Sequence, residues 1–138
     1  MIEKTTLVIK EEQEKEIIRM ILDDNKYVRY VAICDAEGKI ICDKHARDEK
    51  NILTLEETKT LLKTAMDRWK KRYELVDKIG KGEYSVVSYE KIKRITVPLD
   101  EDHLLFVSVD GGKNVRMKDI MEIVDYTLHK FVPHSSPK

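Results

Sequence analysis

The stretch from Glu83 to Asp110, EYSVVSYEKIKRITVPLDEDHLLFVSVD, constrains the fold more than any other part of the chain. SVVSY is separated from the strand carrying ITVPL by a turn at Glu90-Lys91. The acidic tetrapeptide Asp100-Glu101-Asp102-His103 then turns the chain into LLFVSV. Runs joined this tightly pair with their neighbours, so the spacing predicts a three-stranded antiparallel meander. LLFVSV is apolar on both alternating faces. In KIKRITVPL, by contrast, Ile95, Val97 and Leu99 fall on one face and Arg94, Thr96 and Pro98 on the other.

A hairpin is expected upstream, where YVRYVAIC and KIICDK flank Asp35-Ala36-Glu37-Gly38. Glycine at the end of that tetrad permits the positive φ of a type I turn with a G1 bulge. The first strand is apolar on both faces, with Val31 and Ile33 on one and Tyr30, Ala32 and Cys34 on the other. A strand of that kind is covered on both sides, so helices are expected on both faces of the sheet. Cys34 and Cys42 are expected on the same face of the hairpin, diagonally placed, as two free thiols.

Three helical segments complete the pattern. From Glu11 to Leu22, Ile17 and Ile21 stack one turn apart, as do Ile18 and Leu22. Thr54 and Glu57 form a capping box opening a helix from Leu55 to Tyr73, with Leu55, Leu62, Ala65, Met66, Trp69 and Tyr73 on its apolar side. Trp69 is expected as a core anchor. The segment from Glu74 to Gly82, loosened by Gly80 and Gly82, leads into the meander. After Asp110-Gly111-Gly112, Asn114 is a candidate N-cap for a last helix with Met117, Ile120, Met121, Val124, Leu128 and Phe131 on one stripe. Residues 1–10 read as an N-terminal extension, 11–132 as the domain, and 133–138, beyond the stop at Pro133, as a disordered tail.

The predicted order is α-β-β-α-β-β-β-α, an α+β fold. The two doubly apolar strands, first and fifth, belong at the centre of a five-stranded antiparallel sheet of order 2-1-5-4-3. That order leaves EYSVVSY on an open edge. It is the arrangement of profilin-like folds. With the acidic-glycine turn of ICDAEGKII, the long middle helix and the PLDEDHLLFVSV segment, the chain resembles Roadblock/dynein light-chain domains from about Glu11 to Phe131. It also resembles small archaeal proteins sharing Arg68-Trp69, Gly80-Lys81-Gly82 and the segment from Tyr89 to Val109; that likeness carries no activity with it. The Roadblock resemblance implies a non-catalytic dimer, paired through the middle helix and third strand, that serves as a scaffold or a regulator of small Ras-like GTPases. On this chain the expected dimer or partner interface comprises Val86, Val87 and Tyr89, rimmed by Lys91, Lys93 and Arg94.

Composition narrows the remaining classes. Lysine plus arginine equals aspartate plus glutamate, 26 against 26 in 138 residues, so no global field draws the chain to nucleic acid or anionic membrane. The basic run Arg68, Lys70, Lys71, Arg72 reads as a solvated helix face, and a nucleic-acid binder ranks low. A small-molecule sensor of PAS or GAF type is the alternative, disfavoured by the short loops. The absence of a leader or long apolar run points to the cytosol. Gly80-Lys81-Gly82 lacks P-loop spacing. Gly111-Gly112-Lys113-Asn114 reads as a connecting loop, Asp100 to His103 as a solvated turn, and Asp125 with His129 as a surface pair. No nucleophile–base or metal-ligand spacing stands out, so no enzyme, cofactor or metal is expected.

Overall fold

The structure, a computed structural model, describes residues 11–46 and 52–131. The expected extension at 1–10, the tail at 133–138 and most of the connection between His45 and Leu53 lie outside the described residues. Helix α1 (Glu11–Asp24) leads into β1 (Val28–Cys34) and β2 (Ile40–His45); α2 (Leu55–Arg72) follows. A 3-10 turn (Tyr73–Leu75) and a short α3 (Val76–Ile79) then connect to β3 (Ser85–Ser88), β4 (Ile92–Asp100), β5 (His103–Asp110) and α4 (Met117–Phe131). The five strands are antiparallel in the order β2-β1-β5-β4-β3, as the apolar pattern predicts.

The two central strands divide the core into two layers. On one face, Val31, Ile33, Leu105, Val107 and Ile95 meet Ile17 and Ile21 of α1 and Ile120 and Val124 of α4. On the other, Tyr30, Ala32, Cys34, Leu104 and Phe106 meet Leu62, Met66 and Trp69 of α2. The capping box is formed: Glu57 N donates to Thr54 Oγ1 at 3.0 Å and Thr54 N to Glu57 Oε1 at 2.9 Å. Acidic residues in the first turn of α2 and basic ones in the last suit the helix dipole.

Several local expectations change. Leu55 is 58% exposed rather than core. The segment after Arg72 is helical as far as Ile79, and only residues 80–84 run without regular structure into β3. Gly82 serves packing rather than slack, since a Cβ there would collide with the Trp69 indole. The last helix begins at Met117, so Asn114 lies three residues before it and is not its cap. The β1–β2 turn forms as expected: Gly38 N donates to the Asp35 carbonyl at 2.9 Å, and Gly38 has φ of 82°.

A bulge at Ile41 in β2 corrects the cysteines. The register shifts between Ile33 and Cys34, so Cys42 lies opposite Ile33 while Cys34 lies opposite Ile40. The parity change puts them on opposite faces, Cys34 under α2 and Cys42 against the α1/α4 layer. Burial pushes the Cys34 thiol up to about 12, with Asp35 adding to it, and the Cys42 thiol up to about 11. Both are therefore protonated at neutral pH. Intact-mass measurement should find two free thiols, slow to alkylate in the native protein and fast once it is unfolded. An internal disulfide would contradict this register.

Glu14 also departs from the sequence pattern, which places the glutamates of α1 outside the apolar stripe. It is 7% exposed. Burial raises its carboxyl above the ordinary value, with the His103 charge opposing and Glu11 adding to the rise. A raised folded value means the protonated form suits the fold. That stabilisation is present at acidic pH and lost as pH rises through the folded value. Glu14→Gln should therefore raise stability at pH 7 by on the order of 1 kcal/mol. Denaturant titrations at pH 7 and pH 4 should show the advantage shrinking at the lower pH.

Candidate partner interface

Strand β3 pairs only with β4 among the described residues, so its outer edge presents free backbone donors and acceptors. Apolar side chains crowd that edge. Val86 is 37% exposed and Tyr89 51%, and Tyr84 just before the strand is also exposed. Alternation along β3 and β4 separates the six residues singled out from the sequence. Val86 lies opposite Ile95 on the α1/α4 face, and Lys93 lies opposite Ser88 on the same side. Lys91 sits in the β3–β4 turn, where its carbonyl accepts from Gly111 N at 2.8 Å. Val87, Tyr89 and Arg94 come together on the α2 face.

There they line a groove of about 160 Å³ between α2 and the β3–β4 pair. Its helical wall is built from Leu61, Ala65, Arg68 and Arg72, spaced at three to four residues on one stripe of α2. Trp69 closes the groove's inner side and donates Nε1–H to Thr96 Oγ1 at 2.8 Å. The Arg72 guanidinium stacks on the Trp69 ring at 4.6 Å, and Arg94 on the Tyr89 ring at 5.4 Å. Arg94 Nε is buried with no acceptor. Arg68, Lys70, Lys71 and Arg72 are all exposed, as the solvated-face reading expects, and Arg68 and Arg72 also line the groove. Their spacing from Leu61 and Ala65 was the signal that they share a face.

Other polar clusters do less. Asp100 accepts from Asp102 N at 2.7 Å and from His103 Nδ1 at 2.9 Å, so the turn satisfies itself. His129 Nδ1 bonds the main-chain carbonyl of Asp125 at 2.8 Å. A smaller cavity of about 80 Å³ lies beneath the first turn of α2. Tyr30 donates its hydroxyl to Asp43 there at 2.8 Å and stacks on His45 at 4.4 Å, while Arg29 pairs with Asp110 at 2.6 Å. Among the described residues no three metal-ligating side chains converge, and no helix is long and apolar enough to cross a membrane.

This element order and strand order define a Roadblock/LC7-like fold, with α2 on one face and α1 and α4 on the other. The chain is similar to the gliding protein MglB of Thermus thermophilus, with TM-score 0.66 and 16% identity over 95% of this chain and 98% of that one. It is similar also to an MglB in a tetrameric arrangement, with TM-score 0.71 and 14% identity over 95% of each chain. A Roadblock/LC7 domain from Streptomyces avermitilis matches with TM-score 0.61 and 7% identity, over 89% of this chain and 94% of that one. No protein-family model matches the sequence, and no curated protein does.

Proposed function

We propose that this protein is a non-catalytic interaction module that pairs with a second copy along β3 and acts as a scaffold or regulator of a small Ras-like GTPase. The observation that carries the reading is the open β3 edge with its exposed Val86, Tyr84 and Tyr89. A solvent-exposed apolar strand edge is a hazard unless something pairs with it. The fold shared with MglB, one of whose structures is tetrameric, supports self-association. A regulator of this kind need not supply a catalytic arginine. Holding a switch segment so that the GTPase's own residues become ordered is enough. The sensor alternative fares worse, because cavities of about 160 and 80 Å³ fall below the roughly 300 Å³ at which small-molecule pockets begin.

Sedimentation at micromolar protein should report about twice the 16.2 kDa chain mass. Val86→Lys should shift the mass towards the monomer, because a lysine at a paired edge is poorly tolerated. A wild type that sediments as a monomer would remove the pairing. For the partner, the protein is immobilised and native lysate is supplied with GDP or a non-hydrolysable GTP analogue. The expected result is a GTPase retained in one nucleotide state only. Recovery of DNA or RNA with a steep salt dependence, and no GTPase, would overturn the reading.

A further inference from the structure

We infer that the cavity beneath the first turn of α2 receives a lysine side chain of a protein partner. Among the described residues no part of β3 lines it, so it stands apart from the pairing edge. Oxygen acceptors from three elements open on it. Asp43 of β2 accepts the Tyr30 hydroxyl on Oδ2 at 2.8 Å, which leaves Oδ1, and its carboxylate has no cationic partner among the described residues. Ser108 of β5 ends the α2-side row of Leu104 and Phe106, is 9% exposed, and its hydroxyl bonds to no described residue. A buried hydroxyl of that kind favours an incoming group that can meet it. Thr58 of α2 supplies the third oxygen.

Around these oxygens the lining is largely aromatic and aliphatic. Tyr30 and Phe106 meet edge to face at 6.1 Å, and His45 stacks on Tyr30 at 4.4 Å. Ile52 and Leu55, 48% and 58% exposed, flank the rings. The fixed charges at the site sum to negative. Arg29 is held by Asp110 at 2.6 Å, and Glu56 and Glu57 answer the positive end of α2. The Asp43 charge is left over.

A lysine fits each part of this site. Its aliphatic stem can lie along Ile52, Leu55 and the rings, with the ammonium at the acceptors. An ammonium carries three donors on a flexible stem, which suits acceptors arriving from separate elements. A planar guanidinium asks instead for paired acceptors in its own plane. An anionic group would meet Asp43. At about 80 Å³ the cavity takes a side chain rather than a whole small molecule. The inference rests on the interaction-module reading but not on pairing along β3.

The test titrates Nα-acetyl-lysine methylamide into the nitrogen-15-labelled full chain, beside its Nε-acetylated form and its arginine counterpart. The lysine probe should give saturable shifts of the Ser108 and Thr58 amide resonances and bind about tenfold more tightly than the uncharged probe. It should also bind more tightly than the arginine probe. Asp43→Asn keeps an acceptor for the Tyr30 hydroxyl and should remove most of the preference for charge. Ser108→Ala should weaken the lysine probe. The absence of a saturable shift, equal binding of the charged and uncharged probes, tighter arginine binding, or a preference unchanged by Asp43→Asn would overturn the proposal. Sedimentation of the same samples separates this site from the pairing. Binding by a chain that sediments as a monomer supports the site alone, and no binding by a chain that pairs overturns the site and leaves the pairing.

Discussion

Trp69→Ala should lower the unfolding free energy by about 3–5 kcal/mol, the range for emptying a buried aromatic site. The indole is 5% exposed and joins three parts of the molecule. It packs in the α2-side core with Met66 and Phe106, donates to Thr96 on β4, and covers Gly82 in the connection to β3. Alanine would open a cavity and leave the buried Thr96 hydroxyl without its donor, and these costs add. Urea denaturation at matched protein concentration measures the loss, since a self-associating chain gains stability with concentration. A loss under about 1 kcal/mol would mean that the indole does not close this layer. Trp69→Phe should recover much of the volume term and so isolate the hydrogen bond.

Gly38→Ala should be nearly as damaging, at on the order of 3 kcal/mol, although the residue is in a turn. Two causes combine. Its φ of 82° is strained for any residue with a Cβ, and a Cβ there would lie 2.7 Å from Lys63 Cα and 2.8 Å from Lys63 N. Those are backbone atoms of α2, so no side-chain rotation relieves the clash. Gly80→Ala provides the control. Its φ of 89° and ψ of 178° fall in an essentially glycine-only region but nothing lies within 4 Å of its Cβ position, so only backbone strain of about 1–3 kcal/mol remains. If the two variants unfold alike, α2 is not held on the β1–β2 turn at this point.

Much of the architecture was legible because strand period and turn chemistry are local signals. Doubly apolar LLFVSV and YVAIC had to be central, and the short connections then allowed few strand orders. What escaped detection depends on distances between elements. The bulge at Ile41 reverses the facing of Cys42, and alternation read from the sequence cannot register an extra residue. The closeness of Gly38 to Lys63 and of Gly82 to Trp69 depends on where α2 comes to rest. Leu55 matched the apolar stripe but, as the first residue of α2, is exposed. The interface residues were only half legible. An open third strand followed from topology, but Val86 and Val87 face opposite sides. The groove needed Arg68 and Arg72 from a helix that sequence inspection treats one charge at a time.

The far side of the sheet bears on how large an assembly can grow. A sheet with two free edges can in principle add copies end to end without limit, as an open filament. If β3 pairs with its own copy about a two-fold axis, that edge is consumed and β2 is left at both ends. The outer half of β2 is Asp43, Lys44 and His45, all exposed, with the Asp43 carboxylate already tied to the Tyr30 hydroxyl. Charged side chains on a short terminal strand discourage another strand from docking. One edge is thus chemically suited to join and the other to refuse, which sets a finite end point for growth in the plane of the sheet.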